Sequence, residues 1–279
     1  MPLGGGPMDL GATAATDPEP VRPETELPVP RGVSRNFFLL IAACVGLGAA
    51  LALAPLAAGV LTFLFIAAGW ILSVVIHEFG HAIVAYRAGD TSVLRKGYLT
   101  LDPLKYTDLG VTLLLPLVAL AMGGIGFPGA AVYLRPDLMR SRIGRSLASL
   151  AGPVMTGVVL VVLSLGLRAL QPDSAPALYC ALSLLAFLQA TALILNLLPV
   201  PGLDGYGVLR PFIPNAIRTR MKPLERASML LLLAALFFIP GASDLLFAAA
   251  FAVTDALGVP RGAVGSGFHL FQFWRSVGV

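Results

Sequence analysis

Two histidines four residues apart, with a glutamate beside the first, open the chemistry of this chain: His77-Glu78-Phe79-Gly80-His81. On a helix, residues four apart share a face, so the imidazoles of His77 and His81 project side by side. Paired in this way they can share one zinc ion, and the glutamate between them can hold a water next to it. The setting is unusual. From Phe37 to Tyr86 the only acidic or basic side chain, histidines aside, is Glu78. A carboxylate at membrane depth costs about 2.5–3.5 kcal/mol on insertion scales and marks a functional site by default.

A catalytic zinc takes three protein ligands and keeps one position for water. His269 and Asp204 are the candidates for the third. Asp204 is the better one: it is the only charged residue between Pro176 and Arg210 and lies at a helix break. There a carboxylate can turn into the bundle, and a buried acid beside a cation has its charge compensated. Outside a metal site, Asp204 reads as a plain turn residue after Pro and Gly.

The elements that must position these residues are membrane spans. Hydrophobic residues make up 57% of the 279 and charged residues 12%, too apolar for a soluble domain. The net charge of +4 is gathered in clusters between apolar runs, which suits a membrane surface and not nucleic acid. Cys44 and Cys180 sit in separate apolar runs and read as small buried groups. Residues 1–35 are rich in Gly, Pro, Ala, Thr and acids and are expected to be a disordered cytoplasmic tail. Residues 36–258 form the membrane domain and 259–279 an aromatic tail suited to the interface.

The expected fold is an all-α polytopic bundle of about five or six transmembrane helices. Spans are expected at about 37–53, 60–86, 147–167 and 177–198, with a last stretch at 227–257 that is either one kinked span or two short ones around Pro240-Gly241. Arg31 and Arg35 place the N-terminus in the cytoplasm. Residues 110–124, interrupted by Pro116, read as a re-entrant segment. If they crossed, Asp204 would lie on the opposite face from His77 and His81. After the histidine helix, Ser92-Val93-Leu94 and Tyr98-Leu99-Thr100-Leu101 flank Gly97 and predict a small β-hairpin, the alternative being a polar connector.

With these residues in view, the sequence resembles the site-2 protease family of intramembrane zinc metalloproteases. His77 to His81 matches its H-E-x-x-H. Asn196, Pro199, Pro201, Leu203 and Asp204-Gly205 match its N-x-x-P-x-P-x-L-D-G at every fixed position. Leu101-Asp102-Pro103-Leu104 is similar to its L-N-P-L, with Asp102 in place of Asn. Ala151-Gly152-Pro153 is similar to its A-G-P-x-x-N, with Thr156 where Asn is usual. The resemblance runs from about residue 60 to 210, in a minimal form without PDZ or CBS domain. It implies that His77, His81 and Asp204 ligate Zn2+, that Glu78 is the general base and that Asn196 helps hold the oxyanion. The implied partners are the lipid bilayer and a transmembrane protein substrate, in a bacterial cytoplasmic membrane. The predicted hairpin would hold that substrate extended by strand addition. The rival reading is a catalytically silent zinc-binding scaffold or a metal carrier.

Overall fold

The computed structural model describes residues 32–54, 57–106 and 133–275, the side chains of 222–226 and 229 excepted. The expected tail 1–31 and the expected re-entrant segment 110–124 lie outside the described residues. Nine α-helices are described: α1 Arg35–Leu53, α2 Ala58–Ala88, α3 Ser92–Arg95, α4 Arg142–Ala169, α5 Pro176–Leu197, α6 Asp204–Leu209, α7 Asn215–Phe238, α8 Ala242–Ala256 and α9 Arg261–Phe271. Three of the long ones start on a recognisable local signal. Ser34 caps α1 by accepting from the Asn36 amide, and Ser141 caps α4 by accepting from Gly144 N at 2.9 Å. Pro176, which has no N–H to leave unpaired, opens α5.

Four helices, α1, α2, α4 and α5, are long and apolar enough to cross a membrane. A fifth crossing is available if Leu230–Phe238 and Ala242–Ala256 count as one broken span; they meet at 93° across Pro240-Gly241. Proline ends the first helix and Gly241, at φ +83°, takes the left-handed turn. Neither piece is long enough alone, at about 14 and 22 Å against a core of about 30 Å. The described residues therefore support four or five spans, and 227–257 does not supply two separate crossings. Arginines and a lysine in the first half of α7 shorten its apolar part to the stretch from Leu230.

The bundle is centred on α5. This helix is apolar on all sides and packs on α2, α4, α8 and α9, so Ala181, Ala186, Leu188, Ala190 and Leu195 are fully buried. α1 packs mainly on α2 and is the least covered of the four spans. The stretch at 261–275, expected at the interface, forms α9 and one short turn. Phe271 is fully buried and stacks on Phe63 at 5.3 Å.

α2 and α4 run antiparallel and in close contact. Arg140 N donates to Ala88 O at 3.0 Å, so α4 starts at the face where α2 ends. Asp90 fastens that junction: its carboxylate accepts from Ser92 N, Ser92 Oγ and Arg135 N, the last at 2.7 Å.

The β-hairpin expected after α2 is not formed; no strand occurs among the described residues. Ser92–Arg95 is a helical turn whose first amide, Ser92 N, donates to Asp90, and Tyr98–Thr100 and Pro103–Lys105 are single 3₁₀ turns. Gly97 at φ 74° and Leu101 at φ 56° turn the backbone twice within five residues. Short runs with a local cap close i→i+3 bonds more readily than a lone two-stranded ribbon, which is marginal in itself. The segment is instead tied to the start of α1, by Ser34 N donating to Thr100 O at 2.7 Å and Asn36 Nδ2 donating to Asp102 Oδ1 at 3.0 Å.

Candidate metal centre and active site

Helical spacing alone pairs the first two site residues. His77 and His81 lie one turn apart on α2, and their Nε2 atoms are 3.0 Å from each other. The third arrives from far along the chain. α5 ends at Leu197, and Pro199, Pro201 and Gly202 prevent its continuation. Gly202 sits at φ +95°, and Ser228 of α7 donates its hydroxyl to Pro201 O, which holds the break in place. The chain then restarts as α6, whose first residue is Asp204. Packing of α6 on α4, with Ser146 Oγ donating to Val208 O at 2.9 Å, aims the Asp204 carboxylate at the histidines. Asp204 Oδ2 is 3.2 Å from His77 Nε2, and Oδ1 is 3.2 Å from His81 Nε2. Among the described residues this is the group of His, Cys, Asp or Glu side chains able to hold a metal ion.

The far side of each imidazole decides what the near side offers. His81 Nδ1 is 2.7 Å from Ala148 O, a pure acceptor, so that nitrogen carries the proton. His77 Nδ1 is 2.8 Å from Thr156 Oγ1, and Thr156 in turn donates to Gly152 O at 3.3 Å. The threonine oxygen thus accepts from His77 Nδ1–H. Both neutral rings then point an Nε2 lone pair at the other and at a carboxylate. Three acceptors facing one another suit a cation between them. Their separations of 3.0, 3.2 and 3.2 Å lie close to the edge of about 3.3 Å expected for a tetrahedron with bonds of about 2.0 Å. Two imidazoles and one carboxylate leaving a fourth position is a catalytic zinc donor set, and the residues fit that ion.

Two glycines make room for it. A Cβ on Gly152 of α4 would lie 2.2 Å from His81 Nε2 and 2.6 Å from His77 Nε2. One on Gly80 would lie 2.8 Å from Ala151 O and 2.6 Å from Met155 Cγ. Small residues let the α2 and α4 backbones approach until the imidazoles reach across.

The other expected site residues divide. Glu78, 2% exposed, is buried on α2, within electrostatic reach of Tyr98 and Tyr106. Those rings stack at 5.9 Å, and Tyr106 Oη donates to Tyr98 O at 2.7 Å. Burial, and then the Glu78 charge, push the Tyr106 phenol well above its ordinary range. Asn196 is buried in the last turn of α5, ahead of the break that leads to Asp204. His269 is exposed on α9 and is not part of the metal group. Thr156, Ala148 and Gly152 are the working residues that spacing did not reveal. The one available signal was the Ala151-Gly152-Pro153 motif and the polar residue three positions after its proline.

Proteins similar to this chain carry the names of zinc metalloproteases. The chain is 43% identical over 247 residues to a Mycolicibacterium smegmatis protein named "Putative zinc metalloprotease Rip2", covering 86% of this chain and 93% of that protein. It is 41% identical over 221 residues to the Mycobacterium tuberculosis protein of the same name, covering 79% and 84% respectively. It is 33% identical over 190 residues to the Bacillus subtilis protein named "Putative zinc metalloprotease YwhC", covering 63% and 81%. No family model matches the sequence, and no solved structure matches it.

Proposed function

This chain belongs to the family of zinc metalloproteases that Rip2 and YwhC represent, and from that premise we propose that it is a site-2-type endopeptidase. It hydrolyses a peptide bond within a transmembrane segment of a membrane-tethered protein. The observation that carries the reading is the convergence of His77, His81 and Asp204 inside a bundle of apolar helices. Along α2, His81 and His77 lie about 10 and 16 Å from the helix end, within the depth of a bilayer core.

His77, His81 and Asp204 hold the zinc. When bound, zinc polarises a peptide carbonyl and brings the pKa of water to about 7. Glu78 takes the proton of the attacking water and passes it to the leaving amine. The Asn196 amide donates to the developing oxyanion. Thr156 and Ala148 keep both Nδ1 protons occupied, so both Nε2 lone pairs stay aimed at the ion. A helical substrate hides its carbonyls in i→i−4 bonds and must unwind locally before it is cut. Arg31 and Arg35 orient the N-terminus to the cytoplasm of a bacterial cell, which puts the site toward the cytoplasmic face.

The test is Glu78→Gln, with cleavage of a co-expressed membrane substrate and zinc content measured together. Zinc retained with cleavage lost supports the base assignment; undiminished cleavage rules it out. A wild-type protein that holds zinc and cuts no membrane substrate favours the scaffold reading.

A further inference from the structure

Two basic stretches far apart in sequence meet at the face where α2 ends and α4 begins. Arg142 and Arg145 lie in the first turn of α4, and Arg218 lies in the first turn of α7. Together with Phe212, Ile213 and Asn215 they line a cavity of about 460 Å³. No carboxylate is among the described residues that line it. Arg218 Nη2 donates to Asn215 Oδ1 at 2.9 Å and Arg145 Nη2 to Met139 O at 3.4 Å, and neither contact neutralises a charge. Asp137 feels the charge of Arg145 but is already held by Arg135, at 2.9 and 2.7 Å. Three cations around one concave space repel one another unless an anion sits among them.

We propose that this cavity is a binding site for the phosphate headgroup of an anionic membrane phospholipid. Guanidinium groups suit phosphate oxygens, and basic pockets at the ends of spans hold anionic headgroups. The place in the fold selects a lipid over a free anion. Arg142 and Arg145 precede the apolar stretch of α4, and Phe212, 54% exposed, and Ile213 supply an apolar rim for the glycerol and first methylenes. The cavity is several times larger than a bare phosphate ion requires. Its occupant bridges α4 to the turn that continues directly from α6, the helix that begins with Asp204.

The experiment is titration of the purified protein in detergent with phosphatidylglycerol and with phosphatidylcholine, bound lipid being counted by native mass spectrometry. The wild type is expected to retain one phosphatidylglycerol in preference to phosphatidylcholine. Each arginine contributes about fivefold at a membrane surface, so R142Q/R145Q/R218Q weakens retention roughly a hundredfold. The corresponding triple lysine variant keeps most of it. R168Q, at the opposite end of α4, leaves it unchanged. Circular dichroism checks that the triple variant is folded; if it is not, R142Q alone, at an exposed position, reads the fivefold step. Wild-type retention in the glutamine variant, or an equal loss in R168Q, overturns the proposal. So does inorganic phosphate binding the site as tightly as phosphatidylglycerol, which identifies a free-anion site.

Discussion

Adding one methyl group at Gly152 tests the metal centre without substituting a ligand. In Gly152→Ala the new Cβ lies 2.2 Å from His81 Nε2 and 2.6 Å from His81 Cε1, where ordinary contact begins near 3.4 Å. The imidazole must retreat by about 1.2 Å or the helices must part. Parting is resisted by Arg140 N on Ala88 O and by the contact of Gly80 with Ala151, so the ring moves. A misplacement of about 1 Å costs on the order of 10²-fold in rate, and a disturbed ligand set loses zinc as well. The overpacking costs about 1–3 kcal/mol of stability. The assay is zinc per chain by elemental analysis, cleavage of a membrane substrate, and helix content by circular dichroism. Gly166→Ala is the matched control on the same helix, since nothing lies within 4 Å of its added Cβ. It is expected to bind zinc as the wild type does and to gain a few tenths to about 1 kcal/mol from helix propensity. A Gly152→Ala protein with one zinc per chain and wild-type cleavage would refute the proximity of α4 to the two imidazoles.

Three further outcomes are expected. Thr156→Val removes the acceptor for His77 Nδ1–H and lowers zinc affinity about 10–100-fold, while Thr156→Ser retains it; competition with a chelator measures both. Zinc at about 100 times its Kd raises stability by about 2.7 kcal/mol in the wild type, and Asp204→Ala abolishes that increment in thermal unfolding. Tyr106 has a folded pKa above its ordinary 10.0, so the folded state holds the proton more tightly than the unfolded chain. Its contribution is complete below pH 10 and is lost as the pH climbs above it. Tyr106→Phe should remove that alkaline decline and cost about 1 kcal/mol at neutral pH, from the hydrogen bond to Tyr98 O.

What the sequence settles alone is local. Spacing four along a helix is enough to pair His77 with His81, because 3.6 residues per turn places them on one face. Composition is enough for the apolar helices, and Pro199, Pro201 and Gly202 are enough for a break before Asp204. Short-range competition is already harder to read: the segment at 91–102 carries β-prone residues, yet the Asp90 bond to Ser92 N and two positive-φ residues fold it into helical turns. Contacts between distant segments are beyond any local rule. Thr156 reaches His77 only because α2 and α4 run antiparallel at a separation set by Gly80 and Gly152. Arg142, Arg145 and Arg218 become one cavity only because α7 returns to the start of α4. Side chains that act across a helix interface depend on register and distance between backbones, and those follow from packing the whole bundle.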